Sequence, residues 1–360
     1  MLSAANEYFA PVMREWKASA RKWRGKKEPI MSSKITYGNN YYWVPKNIRL
    51  HIENTMEKTY TWNEEIGGRK ITISIACPSS ISSDTAATAC TKICRWLDVA
   101  SKFARGAGEC SPKINIYIYF TNARKMLPAR RGAPIDTENV NTAFTTSCVR
   151  GRDRPGEIHL FRQEEWFKVF IHETFHLLGL DFASGGAADA AEHLGRAILG
   201  SQTTHDCQWL IFETYTEFMA EILALMFTRG WILRERDIKR EQLFSAGQTN
   251  KLLEHMDLKY EELWPRPGGG GGIIQHKRVW LEKTPVFCYY VLKMILWVHM
   301  PEFLKWCRKN NTNVLKCGDN APIEFARFLK NYSDSYEVER ALSEGRSNGQ
   351  KDLKMMFTEI

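Results

Sequence analysis

Two histidines and a glutamate in this chain have the types and spacing that metal chemistry needs. His172 and His176 lie four residues apart, and Glu173 directly follows the first of them. Residues four apart share one face of a helix, so both imidazoles can reach a single ion, and imidazole is a good ligand for Zn²⁺. Glu173 is close enough to act as a base toward a water on that ion. The sequence therefore predicts a Zn²⁺ site with His172 and His176 as ligands and Glu173 as the catalytic base.

This pattern is rare by chance. Random placement of nine histidines and 41 acidic residues among 360 positions yields it at most about 0.025 times per chain. The residues around it, from Trp166 to Leu178, are largely apolar, and polar groups buried in such a helix need partners. The alternative interpretation is a pair of core histidines with other hydrogen-bond partners.

The segment from Glu157 to Gly179 resembles the zincin metallopeptidases, whose signature is HExxH. This resemblance implies a small mixed sheet, an active-site helix that carries the signature, and hydrolysis of peptide bonds at a zinc ion. In zincins the strand before that helix is typically an edge strand that aligns the substrate, and Glu157 to Phe161 matches that strand. An edge strand binds an extended peptide through its free backbone groups.

Zinc in a catalytic site needs a third protein ligand, which leaves the fourth position for water. The metzincin branch of the superfamily continues the signature to a glycine and a third histidine. This chain has Gly179, but Phe182 stands at the ligand position and cannot bind a metal. Asp181 is one residue short of that register, so it is a candidate ligand. Its alternative role is to cap the turn or to orient a histidine.

A second source of the third ligand is a helix farther along the chain. Glu213, Glu217 and Glu221 share one face of this mostly apolar helix. The arrangement is similar to the gluzincins, in which a glutamate ligand is followed four residues later by an acidic residue that hydrogen-bonds a ligand histidine. The similarity implies Glu213 as the ligand and Glu217 as that acidic residue, with Glu217 as an alternative ligand. A competing interpretation pairs these acids with solvent-facing lysines, and the apolar flank after Glu221 argues against it.

Peptide hydrolysis also requires a hydrogen-bond donor for the negative charge that develops on the carbonyl oxygen. His193, His205 and Tyr215 are available for this role, and the sequence does not choose between them. Each of the three also has an ordinary structural interpretation.

The residues before the candidate site predict a strand-rich half of the protein. Thr59 to Glu64 and Arg69 to Cys77 flank a Gly-Gly turn and predict a hairpin. Further predictions are a helix over 83–107 and strands over 113–120, 141–149 and 157–161, whereas 34–42 and 47–54 are expected to be extended. From Gln163 to about Gly179 the spacing of apolar residues becomes helical, which predicts a helix.

The residues after the candidate site predict a helical half, with helices over 205–228, 238–263, 284–309 and, in pieces, 321–342. Together these features predict an α+β, zincin-like fold. Its segments are a basic amphipathic N-terminal segment (1–33), a strand-rich half that ends in the signature helix (34–183), and a helical half (184–360). The last segment contains the third-ligand helix and a glycine-rich loop at 265–272, interpreted as a linker, with a lid over a site as the alternative.

The composition indicates possible partners. The formal net charge is +9, which favours acidic partners. Basic residues crowd the first 27 positions, which is interpreted as a solvated helix face, with docking of this segment on an acidic partner as the alternative. No nucleic-acid-binding module is recognisable, so nucleic acid is not an expected partner. The longest apolar run, Val286 to Met300, is too short for a membrane span of about 20 residues.

The nine cysteines, an odd number, follow an N-terminus without the apolar core of a secretory signal. This predicts reduced thiols in an intracellular, cytoplasmic protein, with Cys90 and Cys94 packed in the core.

The predicted function is zinc-dependent hydrolysis of a peptide or protein substrate, with Glu173 as general base. The alternative is a catalytically silent structural protein on a zincin fold. The chain also resembles uncharacterised zincin-like proteins of large DNA viruses, which implies a virion-associated assembly role or a maturation protease.

Overall fold

The chain forms a mixed α+β fold around a six-stranded sheet. The computed structural model describes residues 2–25, 28–104, 106, 110–149, 154–183, 187–230, 232–265, 278–318, 321–347 and 349–358. The glycine-rich loop, apart from Pro265, lies outside these residues, as do parts of the basic N-terminal segment and of the stretch between the strands predicted over 141–149 and 157–161. The strands are β1 (Ile30–Ser32), β2 (Lys58–Ile66), β3 (Arg69–Cys77), β4 (Lys113–Tyr119), β5 (Ala143–Thr145) and β6 (Gly156–Leu160).

Helices dominate the second half of the chain, as predicted. The α-helices of the whole described chain are α1 (Leu2–Lys22), α2 (Lys46–Thr55), α3 (Ser83–Phe103), α4 (Thr137–Val140), α5 (Trp166–Leu178), α6 (Ala187–Leu199), α7 (Ile211–Thr228), α8 (Glu235–Met256), α9 (Lys293–Val298), α10 (Met300–Asn310), α11 (Ala321–Ser333) and α12 (Tyr336–Glu344).

The sheet has the strand order β1-β2-β3-β4-β6-β5. β3, β4 and β6 run parallel, and the other neighbours pair antiparallel. The predicted β2–β3 hairpin is confirmed. Gly67 and Gly68 in its turn both have positive φ, 58° and 72°, a conformation that two-residue hairpin turns need and that glycine adopts without a steric cost.

The prediction that residues 157–161 form an edge strand is wrong. β6, which contains most of the predicted 157–161 strand, lies between β4 and β5, and all five of its residues are buried. The edge strand on this side of the sheet is the three-residue strand β5, which pairs antiparallel with β6, and β1 is the edge strand on the other side. Glu157 and His159 alternate with apolar residues, as in a strand with one exposed face, but in the structure both polar side chains are buried and Nε2 of His159 lies 2.9 Å from Oε2 of Glu157.

The two faces of the sheet are covered by different elements. α3 and α5 pack on one face, and α2 covers part of the other. The prediction of extended chain at 47–54 is wrong, because these residues lie in α2. Ile48 and Ile52 lie one helical turn apart and are the buried residues of this helix, so helical spacing places both on the sheet.

One large apolar cluster extends from α1 through the sheet into the C-terminal helices. It includes Phe9 of α1, Ile116 of β4, Phe175 of α5 and Trp297 of α9. The division of the chain at residues 33 and 183 stays a prediction. The helix predicted over 284–309 is interrupted, since a π-helical turn (Phe287–Leu292) precedes α9 and a break at His299 separates α9 from α10.

The cysteine prediction is wrong in part. Cys110 and Cys148 form a disulfide, whereas the other seven cysteines are free and buried. Cys90 and Cys94 pack in the core as predicted, with their sulfur atoms 4.0 Å apart. Pairing of Cys110 with Cys148 could not be read from spacing, because 38 residues separate the two in the chain.

No helix among the described residues is long and apolar enough to cross a membrane, in agreement with the expectation from the sequence.

Candidate metal centre

The helix α5, which carries the two predicted histidine ligands, lies in the centre of the protein. Every residue from Trp166 to Leu178 is buried, because the sheet, α3 and α7 all pack against this helix. Gly179 ends it with φ 61°, and its N–H donates to the carbonyl of His176 while Leu180 N–H donates to that of Phe175. This tight ending turns the chain back immediately, so that Asp181 lies behind His176.

The other end of α5 is anchored by a buried carboxylate. Glu165, the residue before the helix, has φ 55° and forms an ion pair with Lys125. Its Oε1 accepts hydrogen bonds from the backbone N–H groups of Met355 and Met356, at 3.0 and 2.9 Å. These contacts hold the left-handed residue in place and bring the C-terminal segment up to the site.

His172, His176 and Glu213, which we call the donor triad, come together as the sequence predicts. The Nε2 atoms of the two histidines are 3.0 Å apart. Oε2 of Glu213 lies 3.0 Å from Nε2 of His172 and 3.3 Å from Nε2 of His176. Three potential ligand atoms therefore form a nearly equilateral triangle.

The dimensions of the donor triad fit a zinc ion. Bonds of about 2.0–2.1 Å in a tetrahedral Zn²⁺ site place neighbouring ligand atoms about 3.3 Å apart. The three distances in the triad are 3.0, 3.0 and 3.3 Å, so small outward movements would accommodate the ion. Two imidazoles and one carboxylate are also a common donor set for catalytic zinc, with one position left for water.

The second helix of the site, α7, positions three acidic residues at intervals of one turn along one face. Glu213 completes the donor triad, Glu217 pairs with Lys168, and Glu221 pairs with Lys293. Both lysine side chains are fully buried, with 0% exposure. The interpretation that these acids pair with solvent-facing lysines is therefore wrong, since their partners come from α5 and α9 inside the core.

The two other candidates for the third ligand contact the far sides of the imidazoles. Asp181 accepts a hydrogen bond from Nδ1 of His176 and another from Thr216 Oγ1 at 3.3 Å. Oε2 of Glu217 lies 2.8 Å from Nδ1 of His172, at an angle outside good hydrogen-bond geometry. Carboxylates in this position orient a ligand histidine and leave Nε2 for the metal. The geometry therefore favours Glu213 as the third ligand, and Glu217 and Asp181 as the residues that orient the two histidines.

The charges in the donor triad stabilise one another in the absence of a metal. Burial would lower the pKa of His172, but the hydrogen bond to Glu213 and the negative charge of Glu217 beside Nδ1 raise it to about 9. Burial would likewise raise the pKa of Glu213, but the two imidazoles hold it at about 2. A metal ion that binds here replaces protons on the imidazoles and takes over their attraction to the carboxylate.

Glu173, the predicted base, lies beside the donor triad and lines the same small cavity as His172. Burial raises the pKa of its carboxyl group, and the nearby histidines partly oppose this increase. Within the described part of the chain, no hydrogen bond to the Glu173 side chain is found. A carboxylate with a raised pKa and no fixed donor is suited to accept a proton from a water.

Tyr289, in the π-helical turn, is a tyrosine close to His172. Its ring centroid lies 6.1 Å from that of His172, and it lines the cavity with Glu173. Burial raises the pKa of its hydroxyl group well above the ordinary value, with smaller contributions from Glu213 and Glu173, so the hydroxyl keeps its proton and can donate it in a hydrogen bond. Sequence reasoning missed Tyr289, because nothing in an apolar run distinguishes it from the adjacent Tyr290.

The three residues that the sequence suggested as oxyanion donors are not placed at this cavity. The Tyr215 hydroxyl donates to the carbonyl of Leu315 at 3.0 Å and accepts from Asn311 at 2.9 Å. His205 is exposed, and its Nδ1 lies 2.8 Å from the carbonyl oxygen of Gln202. His193 is an exposed residue of α6 and does not line the cavity.

The space over the site is small. The cavity that His172, Glu173 and Tyr289 line measures about 30 Å³. Because one water needs roughly 10–15 Å³ of such space, this cavity admits about two waters. Thr142 and Ala143 also line this cavity, so the beginning of the edge strand β5 borders the same space as His172 of the donor triad. No protein-family model, curated protein or solved structure matches this chain.

Proposed function

We propose that this protein is a zinc-dependent metallopeptidase that hydrolyses peptide bonds, with His172, His176 and Glu213 as ligands and Glu173 as general base. The observation that carries the proposal is the combination of a zinc-sized donor triad with an adjacent carboxylate that has no fixed hydrogen-bond partner. Glu213 on α7, with Glu217 behind His172, supports a gluzincin-like version of the zincin fold.

The residues around the triad suggest how catalysis proceeds. A zinc ion held by the triad would supply Lewis acidity, which acidifies a water and polarises a carbonyl group. The Glu173 carboxylate takes a proton from the attacking water and passes it to the nitrogen of the leaving amine. The Tyr289 hydroxyl donates a hydrogen bond to the carbonyl oxygen as that oxygen gains negative charge. Asp181 and Glu217 keep the two imidazoles oriented.

The edge strand offers a way to hold the substrate. No strand of the described residues pairs with the outer side of β5, and this strand begins at the wall of the small cavity. An extended peptide that pairs with β5 would bring one of its carbonyl groups toward the donor triad. The sequence suggested the strand at 157–161 for peptide binding, but that strand lies inside the sheet, so we assign peptide binding to β5 instead.

The test of this proposal is the Glu173→Gln variant, assayed with a library of quenched fluorescent peptides. The substitution keeps the shape of the side chain and removes the base, so cleavage should be lost while zinc content, measured by mass spectrometry, stays at the wild-type level. Glu254→Gln, on the exposed side of α8, is the matched control and should cleave like wild type. Equal activity of Glu173→Gln and wild type would refute the proposed mechanism.

A second candidate function is a catalytically silent, zinc-containing structural protein, for example one that takes part in virion assembly. The observation that favours it is the small size of the cavity, which admits waters but no peptide without movement of its walls. Wild-type protein that retains zinc but neither cleaves nor binds any peptide of the library would support this candidate over the peptidase.

A further inference from the structure

A second and larger cavity lies along the edge strand. It measures about 300 Å³ and lies between β5 and the segment Asn40–Pro45, which precedes α2. Two of its lining residues, Asn141 and Ala143, also line the small cavity at the donor triad. The two cavities are therefore neighbours along the same strand.

The wall of the larger cavity is held firmly on the sheet. The backbone N–H and the side-chain amide of Asn40 both donate to Oε2 of the buried Glu157, at 3.2 and 2.9 Å. Gly38 permits the close approach of this segment, since a Cβ atom there would lie 2.4 Å from the ring of His159. His159 in turn lies 2.9 Å from the same Oε2 atom. The position of the wall is thus fixed before any ligand binds.

The chemistry of the lining is aromatic and uncharged. Trp43, Pro45, Phe144 and Phe161 supply its apolar surface, and the remaining lining residues are alanine, asparagines and threonines. Trp43 is 65% exposed, which is unusual for an indole ring in a protein without a ligand. A cavity of roughly 150 Å³ lined by apolar side chains already admits a benzene ring, so about 300 Å³ is sufficient for an aromatic side chain.

The register of β5 shows which of its backbone groups are available to a peptide. The N–H of Phe161 donates to the carbonyl of Thr142, and the N–H of Thr146 donates to that of Glu157. Hydrogen-bonded pairs alternate along antiparallel strands, so the backbone N–H and carbonyl of Phe144 also point toward β6. The backbone groups of Ala143 and Thr145 therefore point outward, one beside the small cavity and both along the larger one.

We propose that the cavity between β5 and Asn40–Pro45 is a specificity subsite for an aromatic side chain of the peptide that pairs with Ala143 and Thr145. This inference rests on the proposed peptidase function, because it assumes that the same peptide reaches the donor triad. A phenylalanine, tyrosine or tryptophan at a fixed distance from the cleaved bond would fill the space beside Trp43, whereas a charged side chain would lose its hydration there without gaining a partner.

The test uses alanine-rich decapeptides in which one phenylalanine is moved through every position, with the all-alanine peptide as reference. Wild type should cleave at one fixed offset from the phenylalanine, with a kcat/KM at least about tenfold above that of the reference. Trp43→Ala should lose this preference, so that its kcat/KM values for the phenylalanine peptides and for the reference become similar, and Trp43→Phe should retain most of the preference. Tyr336→Ala removes an aromatic ring of α12 that is 73% exposed and does not line the cavity, so it should behave like wild type.

Binding of the same peptides to Glu173→Gln, followed by fluorescence polarisation, separates failure of the subsite from failure of the proposed function. Cleavage without a phenylalanine preference, or a preference that Trp43→Ala retains, would overturn the subsite and leave the peptidase standing. Binding that depends on phenylalanine and on Trp43, with no cleavage by wild type, would support the cavity and overturn peptide hydrolysis. Neither binding nor cleavage of any peptide would overturn both.

Discussion

Oε2 of Glu213 lies 3.0 Å from Nε2 of His172, although 41 residues separate the two in the chain. This contact joins α7 to α5 at the centre of the protein. On the far side of the same imidazole, Glu217 lies beside Nδ1, so His172 is enclosed by two carboxylates from one helix. A metal ion bound to the donor triad would connect both helices, and its removal should affect stability as well as activity.

We expect wild type to bind about one zinc ion per chain at the tetrahedral site that the triad would complete. His172→Ala and Glu213→Ala should each lose most of this zinc, because two protein ligands rarely hold the ion. Metal content by mass spectrometry checks this expectation. A chelator should also lower the melting temperature of wild type and not that of the two variants. His205→Ala, at an exposed position, is the control, and full zinc content in Glu213→Ala would contradict Glu213 as a ligand.

Asp181→Asn should weaken zinc binding by about 10–100-fold without abolishing it. The asparagine still fills the space between His176 and Thr216 but no longer offers a charged acceptor to Nδ1 of His176. Competition with a chromophoric chelator measures the affinity, and Asp206→Asn, at an exposed position, is the control. Complete loss of zinc would instead indicate that Asp181 is itself a ligand.

Tyr289→Phe should lower kcat/KM for peptide cleavage by about 10²–10³, with unchanged zinc content, because it removes a single donor to the developing oxyanion. Tyr290→Phe is a matched control, since the Tyr290 hydroxyl donates to the carbonyl of Leu353 and does not line the cavity. Steady-state kinetics on one cleaved peptide provides the measurement. If both variants lost activity equally, the effect would be structural and the assigned role of Tyr289 would be wrong.

Lys168→Met should lower the free energy of unfolding by about 3–5 kcal/mol, because it removes one partner of a buried ion pair and leaves Glu217 with only part of its compensating charge. The Lys168 Nζ atom lies 2.5 Å from Oε1 of Glu217, and both side chains are buried. Urea unfolding of the zinc-free proteins isolates this effect from metal binding. Arg327→Met removes an exposed ion pair with Glu324 and should change stability little. Equal stabilities of the Lys168 and Arg327 variants would contradict the prediction.

Titration of His299 should make the free energy of unfolding depend on pH under mildly acidic conditions. Burial lowers the pKa of this imidazole below its ordinary value, while nearby Glu302 and Glu337 partly oppose the shift. The unfolded chain therefore takes up the proton near pH 6.5, before the folded protein does, and stability falls as the pH decreases from there to the folded-state pKa.

The measurement for this prediction is urea unfolding of wild type and of His299→Gln at several pH values between 5 and 8. Glutamine does not titrate, so the advantage of wild type over the variant should shrink as the pH falls. A difference between the two proteins that is independent of pH would contradict the assigned shift at His299.

Much of the candidate site was predictable because helical periodicity is local. The four-residue spacing of His172 and His176, and the spacing of Glu213 and Glu217, indicate shared helix faces without any knowledge of the fold. The same reasoning predicts the hairpin of β2 and β3 from its Gly-Gly turn. The position of β6 inside the sheet was not predictable, because the alternation of Glu157 and His159 with apolar residues does not reveal that another strand covers its outer side.

By itself, the sequence determined the mixed α+β character of the protein, the helix that carries His172 and His176, and the set of acidic residues that could join them. Only the tertiary structure decided that Glu213 reaches the Nε2 atoms while Glu217 and Asp181 stand behind the imidazoles, that β5 is the edge strand, and that Tyr289 lines the cavity. The physical reason is that spacing along a helix fixes which face a side chain occupies. The crossing of α5 and α7 and the order of strands depend on contacts between residues far apart in the chain.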